Sequence, residues 1–140
     1  MIARNSRELN TIQKRHKLNT VNSVGEKGPG GAYHEYNVAC VEPIGKDTAL
    51  NPDADMSHLH EILLTVNFQK GPRNDASSVR GVLDVDLLEI VRDRLICFQE
   101  GPFACDANAR ALEHLELALM YMSRRVDERN ERGVLGTNQT

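Results

Sequence analysis

Arg125, Arg129 and Arg132 continue, at the three-and-four spacing of a helix, a ridge that begins as Ala111, Leu115, Ala118 and Met122. A ridge that turns from apolar to guanidinium must leave its own core and face water, a carboxylate set or an anionic ligand. In one reading these arginines form a solvated helix end, suit the negative pole of the helix dipole and pair with Asp127, Glu128 and Glu131. In the other they grip phosphates. The stretch FQEGPFACDAN bears on that choice because it gathers Phe98, Phe103 and Asn108. A small anionic, aromatic ligand wants a flat apolar surface for its base, cationic donors for its phosphates and an amide to read edges or ribose hydroxyls. The plain alternative makes both phenylalanines core plugs and lets Asn108 complete a first helical turn.

Other chemistries are poorly supplied. His58 and His60 share a strand face and His34 could join them, yet nothing fixes a carboxylate or thiol nearby, so no metal site is expected. Cys105 and His114 are nine residues apart on one helix, too far to act as nucleophile and base. Asp84, Asp86 and Glu89 read as first-turn acids. GPGG lacks the Lys and Ser or Thr of a phosphate loop. The residues favour binding without catalysis or cofactor.

Two helices must position the candidate residues. After Asp84 or Asp86 as a cap, Leu87, Leu88, Val91, Leu95 and Phe98 form one apolar stripe. Gly101-Pro102 then supplies a left-handed terminus and a residue that cannot continue the ladder. The second helix begins near Cys105 or Asp106 and carries Leu112, Leu115, Leu119, Met122 and Val126. So short a connection makes the helices antiparallel neighbours. Arg125 then lies roughly 25 Å from Asn108 at about 1.5 Å per residue, so one subunit cannot close a pocket around a compact ligand, whereas hairpins from two subunits can.

Upstream, residues 1–24 read as a polar arm, mobile or helical, with Leu9, Ile12 and Leu18 only loosely periodic. GEKGPGG forms a turn. In AYHEYNVACV, Tyr36, Val38 and Cys40 alternate with Glu35, Asn37 and Ala39, which is strand period. Residues 42–56 make a polar loop. HEILLTVNFQ is a second strand, with His60, Ile62, Leu64, Val66 and Phe68 on one face, Glu61, Thr65, Asn67 and Gln69 on the other, and Leu63 breaking the polar face. The expected fold class is α+β: an arm over 1–24, an antiparallel β region over 25–79 and a helical hairpin over 80–140, in a single globular domain. Two strands alone are marginal in water and need covering by helices or another subunit.

At 140 residues, 40% hydrophobic and without Trp, the chain has a modest core that oligomerisation would reinforce. A net charge of −3 argues against a nucleic-acid polymer as partner. Three cysteines, none in CxxC spacing, indicate reduced thiols in a cytoplasm rather than a disulfide framework. No apolar run approaches a membrane span, and the N-terminus has no signal-peptide core.

The strings GPGGAYHEYNV, NFQKGP, GVLDVDLLEIVRDRL, FQEGPFACDANARAL and RGVLGT resemble the small phage proteins of the first Thoeris anti-defence family, whose helical hairpin is shared with the second anti-CBASS family. The resemblance spans about residues 28–137, interrupted at 42–56, and the two strands before the hairpin match the Thoeris type. It implies an oligomer, a dimer or a hexamer built as a trimer of dimers, acting in the cytoplasm of the infected bacterium. Such a sponge holds glycocyclic ADP-ribose, or CBASS cyclic di- or trinucleotides, without cutting them. By position, the base-stacking aromatic falls on Phe98, the polar reader on Asn108 and the phosphate-clasping arginines on Arg73 and Arg125, between subunits. A second cyclic-nucleotide pocket on a threefold axis would involve Arg129, Arg132 and Gly133, near Thr137.

Overall fold

A computed structural model describes residues 5–40 and 61–131. The chain divides into two compact units, Met1–Lys70 and Gly71–Thr140. The division falls ahead of the 79/80 boundary expected between the β region and the hairpin. The architecture is α+β, an antiparallel sheet followed by two helices.

The first unit is a four-stranded sheet in sequential order: β1 (Ser6–Glu8), β2 (Asn19–Val24), β3 (Glu35–Cys40) and β4 (Ile62–Asn67). The expectation of a mobile or helical arm over 1–24 is therefore corrected. NTVNSV places β-branched Thr20, Val21 and Val24 among polar residues, which suits a pleated strand better than a helix. Its asparagine is satisfied across the sheet: Asn22 sits opposite Asn37, and its Nδ2 donates to Asn37 Oδ1 at 2.9 Å. Gly25 closes the β1–β2 pair with a positive φ of 81°, its N–H donating to the Asn5 carbonyl.

The faces also differ from the alternation read in β3 and β4. Asn37 and Ala39 are the buried residues of β3, while Tyr36, Val38 and Cys40 are half-buried. Val38 pairs with Leu64 but Ala39 pairs with Ile62, so Leu63 is the extra residue of a β-bulge. The bulge changes the phase of β4. Val66 and Phe68 stay with Tyr36, whereas Ile62 joins Ala39 on the opposite face. Tyr33, Tyr36 and Phe68 stack edge-to-face at 6.4 and 5.7 Å, and Arg7 lies over the Tyr33 ring at 4.6 Å while its Nε donates to Ser23 Oγ.

The second unit holds α1 (Asp84–Glu100) and α2 (Asp106–Glu131). Leu83 occupies the N-cap of α1, and Asp86 reaches back to accept from its backbone N–H at 2.8 Å. The helices are antiparallel, since Gln99 meets Cys105 near the bend and Arg92 meets Glu116 farther along. The inward stripe of α1 runs through Val85, Leu88, Arg92, Leu95 and Gln99, each half-buried, while Val91 and Phe98, expected inward, are exposed. On α2 the expected stripe holds at Leu112, Leu115, Leu119 and Met122, but Val126 is exposed. Gly101 ends α1 with φ −115° and ψ −167°, extended rather than left-handed, so Pro102 and the contacts described below make the stop.

Leu119 is the buried hydrophobic residue of the hairpin, at 8% exposure, whereas Arg92 and Glu116 pair at 2.8 Å in a half-solvated position. Packing should therefore outweigh charge. Leu119→Ala is expected to cost about 2–5 kcal/mol in urea unfolding. Glu116→Gln should shift the same transition by only a small fraction of that; equal losses would show that the ion pair holds the hairpin.

Candidate functional site

The bend between α1 and α2 is stapled by one side chain. The Gln99 amide accepts from the Cys105 N–H at 3.0 Å and donates to the Cys105 carbonyl at 3.2 Å. Cys105 in turn caps α2, its Sγ accepting from the Asn108 N–H at 3.4 Å. Asn108 Nδ2 donates to the Phe103 carbonyl at 3.4 Å, so the residue expected to read a ligand also braces the loop that presents Phe103.

The two aromatic rings meet there. Phe98 and Phe103 lie edge-to-face with centroids 6.4 Å apart, at 36% and 72% exposure. Neither is a core plug. An exposed aromatic pair beside a side-chain amide is a surface on which a planar base can stack. Arg94, which sequence reasoning passed over, holds its guanidinium 5.4 Å from the Phe98 ring centroid. The signal for it was available: Arg94 and Phe98 are four apart on a helix, hence neighbours on one face.

Arg125 is not part of this cluster. It lies on the same unbroken helix as Asn108, seventeen residues on, which is roughly 25 Å at about 1.5 Å per residue. Its side chain is exposed, and it has no ion-pair partner among the described residues; Glu128 pairs instead with Arg124, at 3.6 Å. The side chain of Arg129 and all of Arg132 and Gly133 lie outside the described residues, as do His58, His60 and the 42–56 loop. No group of three or more metal-ligating side chains occurs among the described residues.

Arg73 belongs to the loop that leads into α1. Its Nη2 donates to the Gly81 carbonyl at 3.0 Å, tying the loop's two ends together. Between them, Asp75 Oδ1 accepts from the backbone N–H and the hydroxyl of Ser77. Those bonds, the backbone one first, hold the Asp75 carboxyl below its ordinary value. Gly71 has φ 87°, and a Cβ there would collide with Ser78 Oγ, so the tight entry to this loop requires glycine.

Concavity lies elsewhere on the hairpin. An open groove of about 910 Å³ is lined by Arg92, Glu116, Leu117, Met120, Tyr121 and Arg124 among others, and one of about 480 Å³ adjoins it by Gln99 and Leu112. Neither includes Phe98, Phe103, Asn108 or Arg125. Among the described residues, Phe98, Phe103 and Asn108 thus form an exposed platform outside those two grooves.

Gln99→Ala should speed amide hydrogen exchange at Cys105 and Asn108 while leaving mid-helix amides of α1 and α2 protected; unchanged exchange at the bend would show that the staple is dispensable.

Comparison with known proteins adds two findings. Residues 60–127 match the family model described as "Acb2/Tad1, hairpin domain". Over 77 residues the chain is 46% identical to Thoeris anti-defense 1 of Bacillus phage SBSphiJ7, an alignment covering 55% of this chain and 54% of that protein. The chain thus spans about half the length of the curated relative it matches. Residues 60–127 are accordingly similar to the Acb2/Tad1 hairpin domain, in a chain that resembles the Thoeris anti-defence type.

Proposed function

We propose that this protein is a phage immune-evasion factor that sequesters signalling cyclic nucleotides in the cytoplasm of an infected bacterium without cleaving them. Glycocyclic ADP-ribose is the first candidate ligand, with CBASS cyclic di- and trinucleotides as further ones. The observation that carries this reading is the division of binding chemistry along the hairpin: an aromatic and amide platform at the bend, and about 25 Å away along α2 an arginine with no carboxylate partner among the described residues. Each half is incomplete. Antiparallel association of two hairpins brings Arg125 of one copy to Phe98, Phe103 and Asn108 of the other, with Arg73 as the second phosphate donor.

Oligomerisation also suits the apolar surface. Ile90, Val91, Leu117, Met120 and Tyr121 are all exposed on the hairpin, a density a partner copy would cover. The assembly is a dimer or, as a trimer of dimers, a hexamer. In a hexamer Arg129, Arg132 and Gly133 supply a second pocket on the threefold axis. Capturing a nanomolar signal requires about 12 kcal/mol of binding free energy, beyond the reach of a few exposed ion pairs. Burial between subunits supplies more, because water is excluded from the arginine–phosphate contacts and the base is sandwiched.

The competing reading is an oligomer without a small-molecule ligand. The Arg124–Glu128 pair favours it, since that is how a solvated helix end neutralises its cations. Calorimetry with glycocyclic ADP-ribose separates the two. Phe98→Ala and Arg125→Ala should each weaken binding more than about tenfold, a loss of roughly 1.4 kcal/mol, with the subunit count in native mass spectrometry unchanged. Nucleotide released by heating should be recovered intact and stoichiometric. No heat with any cyclic nucleotide leaves the structural oligomer standing, and consumed nucleotide makes the protein an enzyme.

A further inference from the structure

The described arginines of the two helices fall into two classes. Arg92 pairs with Glu116 and Glu89, Arg110 with Asp106 at 3.8 Å, and Arg124 with Glu128. Arg94 and Arg125 have no carboxylate within 4 Å among the described residues. For Arg94 the reason is local. The positions three and four residues away are Ile90, Val91, Cys97 and Phe98, none of which can neutralise a guanidinium. An unneutralised arginine at an otherwise apolar helix face is a cation still available to a ligand.

Its placement points the same way. Arg94 Cζ lies 5.4 Å from the centroid of the Phe98 ring, which is itself exposed and backed edge-to-face by Phe103. A guanidinium held over an aromatic face interacts through its charge and keeps its N–H donors for another partner. A base stacked on Phe98 extends its sugar and phosphate past the ring's rim, where a guanidinium 5.4 Å from the ring centroid can meet them. Arg94 also needs no second copy of the chain to reach this position, unlike Arg125.

We infer that Arg94 is a phosphate-binding residue of the Phe98 site, contributed by the same chain that supplies the stacking ring. This rests on the cyclic-nucleotide reading above. A phosphorylated ligand is then met first by Phe98 and Arg94 of one copy and enclosed by Arg125 of the other. The alternative role for Arg94 is stabilisation of α1 through its contact with the Phe98 ring. The two roles have different readouts.

The test is calorimetry of the full chain with glycocyclic ADP-ribose at low and high salt, using the parent, Arg94→Gln, Arg94→Lys and Phe98→Ala, with thermal midpoints for each. The expected result is a loss of about tenfold for Arg94→Gln with a flatter salt dependence. Arg94→Lys should recover most of that affinity, and neither Arg94 variant should shift the midpoint appreciably. Parent-like affinity and salt dependence in Arg94→Gln, with Phe98→Ala still weakened, would overturn the assignment alone. So would an Arg94→Lys that binds no better than Arg94→Gln, or a midpoint that falls while affinity holds. A parent that binds no nucleotide would overturn the site reading and this assignment together.

Discussion

An unbroken helix from Asp106 to Glu131 is a ruler, and everything proposed for this protein depends on its stiffness. Residues on a straight helix cannot be brought together by rotamer changes, so the roughly 25 Å between Asn108 and Arg125 is a fixed quantity. Had α2 been broken midway, one chain could have folded both ends around a ligand. With a continuous α2, the proposed enclosure requires a second copy, which would tie affinity to assembly. A ligand held across subunits also stabilises the assembly that holds it, by mass action.

The same constraint shapes the packing. Two helices in contact bury one stripe each, and here the stripe is shallow: no α1 residue is fully buried, and among the described residues of α2 only Leu119 is. The inward face of α1 even includes Arg92 and Gln99, one reaching across to Glu116 and the other to Cys105. Polar side chains at an interface weaken it relative to apolar ones but set its register, and here the Arg92–Glu116 and Gln99–Cys105 crossings fix it at two points. The hairpin is specified in alignment more than in stability. Its exposed apolar residues are the complement of that arrangement.

Much of the hairpin was legible in the sequence. The apolar spacing located both helices, and the Leu112 to Met122 stripe is the one that faces inward. The inner face of α1 was not, because counting apolar residues passes over a charged or amide side chain that packs inward. Arg92 and Glu116, opposite in charge and on facing helices, carried a signal that periodicity does not read. The N-terminal strands were missed for a related reason. β2 is polar, and Asn22 becomes a core residue only through its partner Asn37, which no local pattern reveals. In β4 the bulge at Leu63 changed which face Ile62 takes, since one added residue inverts the alternation beyond it. Of the candidate site, Phe98, Phe103 and Asn108 are brought together at the bend as the string FQEGPFACDAN implied, while Arg73 is engaged with Gly81 and the residues beyond Glu131 lie outside the description.

The reversal at Gly101 has an evolutionary side. Its extended backbone is open to any residue, and a Cβ there would make only ordinary contacts, the nearest at 3.4 Å from the Cys97 carbonyl. Chain direction is thus governed by Pro102 and by the amide of Gln99, not by the handedness that glycine alone permits. A geometry written in an exchangeable side chain can drift by single substitutions without passing through an unfolded intermediate. The tilt of the aromatic pair is then a trait that substitution at Gln99 or Pro102 can adjust in small steps.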